Sequence, residues 1–356
     1  MGMCQMNDKK PLIIIAGPTA VGKSAISIKL AKDIGGEIIS ADSVQVYRHM
    51  DIGSAKITKD EMQGVKHYLI DVLDPKDEFS AALFKDMAKN AAEEIYDNGH
   101  IPIVVGGTGF YIQGLLYDID FKGNPVNEEY RSYLLDYADK NGNEALHDIL
   151  KKIDPEAAKQ IHPNNVKRVM RALEFNKDTG RKISEHNDEQ HERSSPYDFC
   201  YFVLTDERET LYRRIDERVD NMMSEGLTDE VRQLLDMGCT KDMVSMQALG
   251  YRQLIPYIKA EETSMIDNTY NTDNTDSIYN NVATDKASNI IRTGHEGELA
   301  KAIRDIKEET RHFAKRQLTW FRREKDVIWI DKNEFDHDYT KILDFMEKKM
   351  KERGLL

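Results

Sequence analysis

Apolar and polar positions alternate along the first hundred residues in blocks that favour strands and helices in turn. The isoleucine-rich run Pro11–Ala16 predicts a strand buried on both faces. Apolar side chains then recur at helical spacing over Ala25–Ile34, and Gly35 and Gly36 end that helix. A second short strand is predicted over Glu37–Ser40.

The same alternation continues beyond this point. His67–Val72 predicts a strand, Ala81–Asp97 an amphipathic helix, and Ile101–Val105 another buried strand. Strands that alternate with helices are typical of a parallel sheet flanked by helices, so we expect an α/β fold.

The pattern changes between Gly123 and Thr179, where it is helical and polar. The predicted helices are Glu128–Lys140, Glu144–Lys151, Pro155–Gln160 and Asn165–Lys177. Apolar strand character returns at Tyr201–Leu204. We therefore predict a first core segment at 10–122, a helical insertion domain at 123–197, and a return to the core at 198–356.

The C-terminal part contains a stretch unlike the rest. Glu261–Gly297 is rich in Asn, Thr, Asp and Ser and lacks periodicity, which predicts a flexible surface insertion. The other predicted elements are two helices within Arg208–Gly238, a basic helix over Leu299–Lys325, a strand at Val327–Ile330 and a helix at Tyr339–Arg353.

The composition of the 356 residues, 40% hydrophobic and 32% charged, is that of a soluble globular protein. No apolar run approaches the roughly 18 residues of a transmembrane helix, and no signal peptide is evident. The cysteines Cys4, Cys200 and Cys239 are far apart, which favours a reducing cytoplasm. The net charge of −13 disfavours nucleic-acid binding, unless basic residues cluster locally.

A phosphate-binding loop is the strongest motif. It fits G-x-x-x-x-G-K-[ST] between a strand and a helix and comprises Gly17, Pro18, Thr19, Ala20, Val21, Gly22, Lys23 and Ser24. Its backbone N–H groups and the helix N-terminus attract anions, Lys23 adds a full charge, and Ser24 is a candidate Mg²⁺ ligand. The motif predicts a di- or triphosphate site and leaves open whether the ligand is ATP.

A Walker-type nucleotidase also needs a metal-binding carboxylate after an apolar strand. The strand Ile101–Val105 ends in Gly-Gly-Thr instead, and Asp71 and Asp206 are the alternatives.

Asp42 and Thr108 both follow predicted strands, so a parallel sheet would bring them to the edge that carries the phosphate loop. Asp42 could orient an amine or accept its proton; a helix cap or a Mg²⁺ ligand is the alternative. Thr108 could bond a leaving diphosphate, or only its own backbone.

Beyond the loop, the chain carries longer motifs: ISADSVQVYRHMDIGSAK, VGGTGFYI, DPEAAKQIHPNNVKRVMRALE, ALGYRQ and AKRQLTWFR. With these, it resembles the tRNA dimethylallyltransferases of bacterial type over most of its length. The resemblance implies Mg²⁺-dependent transfer of a dimethylallyl group from dimethylallyl diphosphate to the exocyclic amine of the adenine on the 3′ side of the anticodon. It implies that Asp42 is the general base, that Thr108 contacts the leaving diphosphate and that Arg218 grips it.

The resemblance also implies that the insertion clasps the anticodon stem–loop of tRNA and that the enzyme is a cytoplasmic monomer. The implied tRNA contacts are Asp42, Ser43, Val44, Gln45, Arg131, Lys167, Arg168, Val169, Met170, Arg171, Gln247, Gly250, Tyr251 and Arg252. Gln247 and Ala248 stand where many relatives carry Arg and Cys, which puts one phosphate contact in doubt.

Three other functions remain open at this point. A small-molecule kinase would use the phosphate loop equally well but leaves the motif after Asp42 unexplained. An isopentenyltransferase acting on free adenylate would share the chemistry without needing the insertion at 123–197. A non-catalytic nucleotide switch would not need Asp42.

Overall fold

The computed structural model describes residues 9–121, 127–191, 194–272 and 281–356; at 190, 191, 262, 264–272 and 281–296 it describes the backbone alone. The chain divides into two compact units. The α/β unit comprises Met1–Ile112 and Tyr197–Leu356, and the helical unit comprises Gln113–Pro196. The helical unit thus begins at 113, whereas the sequence pattern placed its start at 123.

A six-stranded sheet forms the centre of the α/β unit. Its strands are β1 (Lys10–Ala16), β2 (Gly36–Ala41), β3 (His67–Tyr68), β4 (Ile101–Gly106), β5 (Tyr197–Thr205) and β6 (Val327–Asp331). They lie in the order β3-β2-β4-β1-β5-β6, and every neighbouring pair is parallel. The predicted α/β fold class is confirmed, and the carboxyl ends of all six strands share one edge.

The central strands are buried on both faces, as their unbroken apolar sequences predict. In β1, Leu12 to Ala16 are almost fully buried, and Ile13 packs in one cluster with Ile103 and Phe202 of the neighbouring strands. The helices are α1 (Lys23–Ile34), α2 (Lys59–Met62), α3 (Ala81–Asp97), α4 (Gly109–Leu116), α5 (Glu128–Asn141), α6 (Asn143–Ile153), α7 (Pro155–Gln160), α8 (Val166–Thr179), α9 (Ile183–His191), α10 (Arg208–Ser224), α11 (Leu227–Asp236), α12 (Tyr251–Thr272), α13 (Asn281–Phe321) and α14 (Tyr339–Glu352). Among these, α1, α3 and α14 pack on the sheet.

The predicted strand over His67–Val72 is wrong beyond its first two residues. Only His67 and Tyr68 pair with β2. Leu69 and Asp71 have φ angles of 63° and 55°, and an extended strand requires negative φ. The chain therefore turns immediately after Tyr68.

The predicted loop over Glu261–Gly297 is also wrong where the structure describes it. Helix α12 continues to Thr272, and α13 already begins at Asn281; residues 273–280 of that prediction lie outside the described residues. Segment 261–272 contains neither glycine nor proline, and α13 includes Gly294 and Gly297 without ending at either. Adding residues to an existing helix needs no new nucleus, so weak helix formers can continue it. At its other end, α13 stops at Phe321 and not at Lys325 as predicted.

The helical unit has a small apolar core of its own, built from α5 to α8. Leu134, Leu146, Leu150 and Leu173 are buried together in it. Among the described residues, no helix combines the length and the apolar character needed to cross a bilayer.

Candidate active site

The phosphate loop links β1 to α1, as its sequence predicts. Gly17 and Gly22 have φ angles of 147° and 93°, which residues other than glycine rarely adopt. A Cβ atom on Gly17 would also lie only 2.6 Å from the carbonyl oxygen of Leu204. The two glycines therefore allow the loop to turn tightly against β5 and to begin α1 at Lys23.

Lys23 is folded back onto this loop. Its Nζ donates hydrogen bonds to the carbonyl oxygens of Gly17 at 3.0 Å and Pro18 at 2.8 Å. Burial and, to a smaller extent, the positive charge of Arg218 lower the pKa of Lys23 to about 8, while the carboxylate of Asp42 opposes both effects. An ammonium in this setting is stabilised by a bound anion.

Arg218, on α10, is the second cation of the site. Its Nη2 donates to the carbonyl oxygen of Ser54 at 3.3 Å. Burial lowers the pKa of Arg218, and Asp42 partly offsets that effect. Within the part of the chain that the structure describes, no carboxylate oxygen lies within 4.0 Å of Lys23 or Arg218. Two desolvated cations therefore face the same region without an ion-pair partner.

Asp42 lies immediately after β2. Its Oδ1 accepts hydrogen bonds from the backbone N–H groups of Val44 at 2.8 Å and Gln45 at 3.2 Å. These bonds define the direction of the carboxylate, and no described residue donates a hydrogen bond to its Oδ2. Asp42 thus caps a local turn with one oxygen and leaves the other available for chemistry.

Thr108 follows β4 and precedes α4. Its carbonyl oxygen accepts hydrogen bonds from the N–H groups of Tyr111 at 2.9 Å and Ile112 at 3.2 Å, so it stands at the N-terminus of this helix. Helix N-termini attract anions. The residue lines the same cavity as Asp42 and Arg218.

This cavity has a volume of about 340 Å³. Its polar wall includes Thr19, Asp42, Thr108 and Arg218. Its apolar wall is formed by side chains of α10 and α13, among them Val219, Met222, Ile306 and Phe313. The cavity suits a ligand with an anionic end and a small hydrocarbon end.

Gln317, on α13, was not predicted as a site residue. Its Oε1 accepts from the backbone N–H of Thr19, and its Nε2 donates to the carbonyl oxygen of Gly107, both at 2.9 Å. It is only 7% exposed and holds the phosphate loop to the end of β4. It lies within the motif AKRQLTWFR, but no spacing rule connects it to Thr19, 298 residues away.

The two candidate metal-binding aspartates are both engaged elsewhere. Asp206 is fully buried and pairs with Arg214 at 2.6 Å, whereas Asp71 pairs with Lys56 at 2.5 Å. No cluster of three metal-binding His, Cys, Asp or Glu side chains occurs among the described residues.

Ser24 lines a second, smaller cavity of about 60 Å³ together with Lys23, Ser40 and Asp42. Hydroxyl and carboxylate oxygens are ligands that Mg²⁺ accepts. Mg²⁺ binds through one or two protein oxygens, several waters and substrate phosphates. Ser24 therefore fits a Mg²⁺ ion that is held mainly by a bound diphosphate.

The predicted tRNA contacts separate between the two units. In the α/β unit, Ser43, Val44, Gln247, Gly250 and Arg252 line the larger cavity beside Asp42. Gln45 turns inward and donates to the carbonyl oxygen of Ala55 at 3.2 Å. Arg252 is exposed and pairs with Glu309.

Tyr251 needs a correction, because its side chain is fully buried and its hydroxyl donates to Glu230 at 2.6 Å. In this structure its ring packs against Gly53, which lines the larger cavity, and its side chain is not accessible to RNA.

The remaining predicted contacts lie in the helical unit. Lys167, Arg168 and Arg171 are exposed on α8 and point into solvent. Val169 and Met170 are buried in the core of this unit, so as direct side-chain contacts to RNA they were predicted wrongly. Val169 and Met170 lie on the stripe of α8 that the helical repeat turns toward the core, although they stand within a motif that resembles an RNA contact region.

Arg131, also in the helical unit, forms a two-point ion pair with Glu174. The distances are 2.8 Å from Nε to Oε1 and 3.1 Å from Nη2 to Oε2. This arginine joins α5 to α8.

Comparisons with known proteins settle the family. The family model described as IPP transferase matches residues 45–324. The chain belongs to the IPP transferase family. It is 48% identical to the tRNA dimethylallyltransferase of Lachnoclostridium phytofermentans, over 98% of this chain and 99% of that one. It is 44% identical to the enzyme of the same name from an Exiguobacterium species, over 95% and 96%.

Solved structures also indicate this family. The crystal structure of the tRNA isopentenylpyrophosphate transferase from Bacillus halodurans matches this chain with a TM-score of 0.65 and 40% identity, covering 97% of this chain and 98% of the other. A eukaryotic dimethylallyltransferase acting on tRNA matches with a TM-score of 0.68 and 29% identity, covering 90% and 74%. The family resemblance predicted from the motifs is confirmed.

Proposed function

We propose that this protein moves the dimethylallyl group of dimethylallyl diphosphate to the exocyclic N6 amine of an adenine beside the anticodon of tRNA, and releases diphosphate. The observation that carries this proposal is the pair of partly buried cations, Lys23 and Arg218, for which no described residue supplies a carboxylate partner, together with the apolar wall of the cavity that Arg218 lines. Relatives at 48% and 44% identity that are named for this reaction support the choice of substrate.

The chemistry begins at the allylic carbon of the substrate. The bond between C1 and the bridging oxygen breaks, and negative charge develops on the departing diphosphate. Lys23, Arg218 and the N–H groups of the phosphate loop stabilise that charge, since they are already oriented and partly desolvated. Thr108 lies at the helix N-terminus beside them and contacts the leaving group.

The adenine N6 then bonds to C1 and loses a proton. The Oδ2 of Asp42, to which no described residue donates a hydrogen bond, accepts this proton, while Oδ1 stays bonded to the N–H groups of Val44 and Gln45. The apolar wall around Met222 and Phe313 shelters the allylic cation from water. The adenine leaves the anticodon stack to enter the cavity, as other enzymes that modify bases require.

Magnesium is proposed at Ser24. When bound there, Mg²⁺ neutralises charge on the diphosphate oxygens. The small cavity that Ser24 shares with Lys23 supports this position.

Transfer RNA is proposed to contact both units. In the α/β unit the contacts are residues 42–45 and the exposed Gln247 and Arg252, and in the helical unit they are Lys167, Arg168 and Arg171. We propose that the enzyme acts as a monomer. A tRNA substrate and the free thiols of Cys200 and Cys239 support a cytoplasmic location.

The test is transfer of labelled dimethylallyl from its diphosphate to unmodified tRNA, with ATP hydrolysis and free AMP assayed alongside. Asp42→Asn is the informative variant, because the amide oxygen can still bind the N–H groups of Val44 and Gln45. We expect this variant to lower kcat about 10²–10⁴-fold with little change in the KM for the diphosphate. Asp33→Asn, an exposed change on α1, is the control and should behave as wild type.

Label in free AMP but not in tRNA, or phosphate release from ATP alone, would exclude the proposed reaction. An Asp42→Asn enzyme as active as wild type would remove Asp42 as the base and leave the reaction itself intact.

A further inference from the structure

Glu230, on α11, is a buried carboxylate that the reaction described above does not use. It is 8% exposed and accepts four hydrogen bonds. Its Oε2 accepts from the backbone N–H groups of Asp51 at 2.8 Å and Ile52 at 2.7 Å. Its Oε1 accepts from the N–H of Gly53 at 3.0 Å and from the Tyr251 hydroxyl at 2.6 Å.

Three successive N–H groups directed at one carboxylate form an anion-binding concavity, and here the protein supplies the anion itself. A buried carboxylate is costly unless its acceptors are satisfied, and hydrogen bonds to a charged group are stronger than neutral ones. Glu230 therefore clamps the backbone of residues 51–53 in one conformation.

The clamped segment leads directly to the active site. The next residue, Ser54, accepts the hydrogen bond from Arg218 through its carbonyl oxygen, and it also accepts one from Gln45 Nε2 at 3.4 Å. Gly53 and Ser54 both line the larger cavity. A Cβ atom on Gly53 would lie 2.6 Å from the Tyr251 ring, so the segment has no room on its inner side.

Lys56, whose side chain is almost fully buried, also contacts this segment. Its Nζ donates to the carbonyl oxygen of Tyr47 at 2.7 Å and to Asp51 Oδ1 at 2.6 Å. These bonds do not reach Gly53 or Ser54. The hydroxyl of Ser54 donates to the carbonyl oxygens of Met50 at 2.6 Å and Asp51 at 3.3 Å, so it fixes Ser54 to the segment that Glu230 holds. The contacts of Glu230 therefore help to determine where the Ser54 carbonyl stands.

We propose that Glu230 is a positioning residue for catalysis, which places Arg218 for diphosphate binding through residues 51–54. The proposal deepens the proposed function and rests on it for the identity of the substrate. Arg218 has no carboxylate partner among the described residues. The Ser54 carbonyl oxygen, which Glu230 helps to position, therefore orients Arg218 without neutralising its charge, and Arg218 can bind an anion.

The test is the affinity for inorganic pyrophosphate with Mg²⁺, measured by calorimetry on the full chain without tRNA. The proteins are wild type, Glu230→Gln, Arg218→Gln and the double variant. Glutamine keeps the size of Glu230 but turns an NH₂ group toward N–H donors. We expect roughly tenfold weaker binding for Glu230→Gln and a larger loss for Arg218→Gln, with the double variant no weaker than Arg218→Gln alone.

Asp229→Asn is the matched control, since it neutralises the adjacent, exposed carboxylate on the same helix and should leave the affinity unchanged. Wild-type affinity in Glu230→Gln, or an equal further loss when it is added to Arg218→Gln, would overturn the proposal. Absence of pyrophosphate binding by wild type would overturn it as well.

Tyr251→Phe covers the case in which Glu230→Gln does not fold. It removes one of the four bonds to Glu230 and keeps the ring against Gly53. We expect about two- to threefold weaker pyrophosphate binding that disappears in the Arg218→Gln background. Unchanged binding in Tyr251→Phe contradicts the proposal. If wild type binds pyrophosphate but does not transfer a prenyl group to tRNA, the proposed function is rejected and the role of Glu230 is not. The comparison of the single and double variants measures pyrophosphate affinity and does not depend on transfer.

Discussion

The α/β unit and the helical unit use positive charge in opposite ways. In the α/β unit, Lys23 and Arg218 are desolvated and have no carboxylate partner within the described part of the chain. In the helical unit, the partly buried Arg131 is paired with Glu174, whereas Arg168 and Arg171 are exposed to solvent.

This contrast separates two kinds of anion. Partly buried, oriented cations without a carboxylate partner suit a small ligand whose charge is concentrated, because little solvent competes for it. Exposed cations suit an extended polyanion, whose binding depends on salt. The comparison predicts that substitutions in the two units affect different substrates.

The largest effect is expected at Lys23. Lys23→Ala should lower kcat/KM for dimethylallyl diphosphate about 10²–10³-fold, because it removes a preorganised charge from the leaving group. The KM for tRNA should change little, as steady-state kinetics with each substrate varied in turn would show. Equal losses for both substrates would break the distinction between the units.

The depressed pKa of Lys23 also predicts a pH dependence. The ammonium binds diphosphate, so affinity should fall as the pH rises through about 8. The arginine of Lys23→Arg stays charged throughout this range. Any change of affinity with pH in this variant therefore reports ionisation of the diphosphate itself and can be subtracted from the wild-type change.

The lowered pKa of Lys23 also affects the free energy of unfolding. Diphosphate affinity falls as the pH rises, whereas the stability of the ligand-free protein increases. The unfolded chain, with a lysine pKa of 10.5, binds more protons than the folded one between about pH 8 and that value. Ligand-free protein should therefore gain stability across this window. Urea unfolding at several pH values, with Lys23→Arg in parallel, would measure the gain.

A smaller, salt-dependent effect is expected in the helical unit. Arg168→Ala combined with Arg171→Ala should weaken tRNA binding about tenfold near physiological salt and reduce the slope of log K against log salt by about 1.5. Pyrophosphate affinity should not change. The control is Lys140→Ala with Lys159→Ala, which removes two exposed cations that are already paired with Asp136 and Glu156. An identical slope for wild type and the arginine variant would exclude this surface.

The smallest effect on activity is expected at Glu174. Glu174→Gln should weaken the ion pair with Arg131 and destabilise the packing of α5 on α8 by about 1–3 kcal/mol. Hydrogen exchange of these two helices should report the loss, while pyrophosphate binding stays at its wild-type value. Glu156→Gln, which removes an exposed pair with Lys159, should cost less than about 0.5 kcal/mol.

Local chemistry explains which features were predictable. Apolar runs such as Pro11–Ala16 require a buried strand wherever they lie, and the glycines of the phosphate loop require its turn. The positions of Asp42 and Thr108 follow from the geometry of any parallel sheet. The strand over His67–Val72 was predicted wrongly because its apolar residues gave no sign of the positive φ angles at Leu69 and Asp71.

The missed residues share one property, which is distance along the chain. Gln317 bonds a residue 298 positions away, and Glu230 bonds segment 51–53 from 177 to 179 positions away. Their residue types are ordinary in amphipathic helices, so nothing local marks them. Tyr251, Val169 and Met170 were misjudged because a motif does not say which of its side chains face inward.

The sequence by itself determined the α/β class, the phosphate loop and the family, because each depends on neighbouring residues or on long matching motifs. Only the tertiary structure decided which charges are paired and which are left free. Asp206 and Arg214 neutralise each other, whereas Lys23 and Arg218, which line two neighbouring cavities that share Asp42, have no carboxylate partner among the described residues. Coulomb energies and desolvation depend on distances in space, and those arise only when the chain is folded.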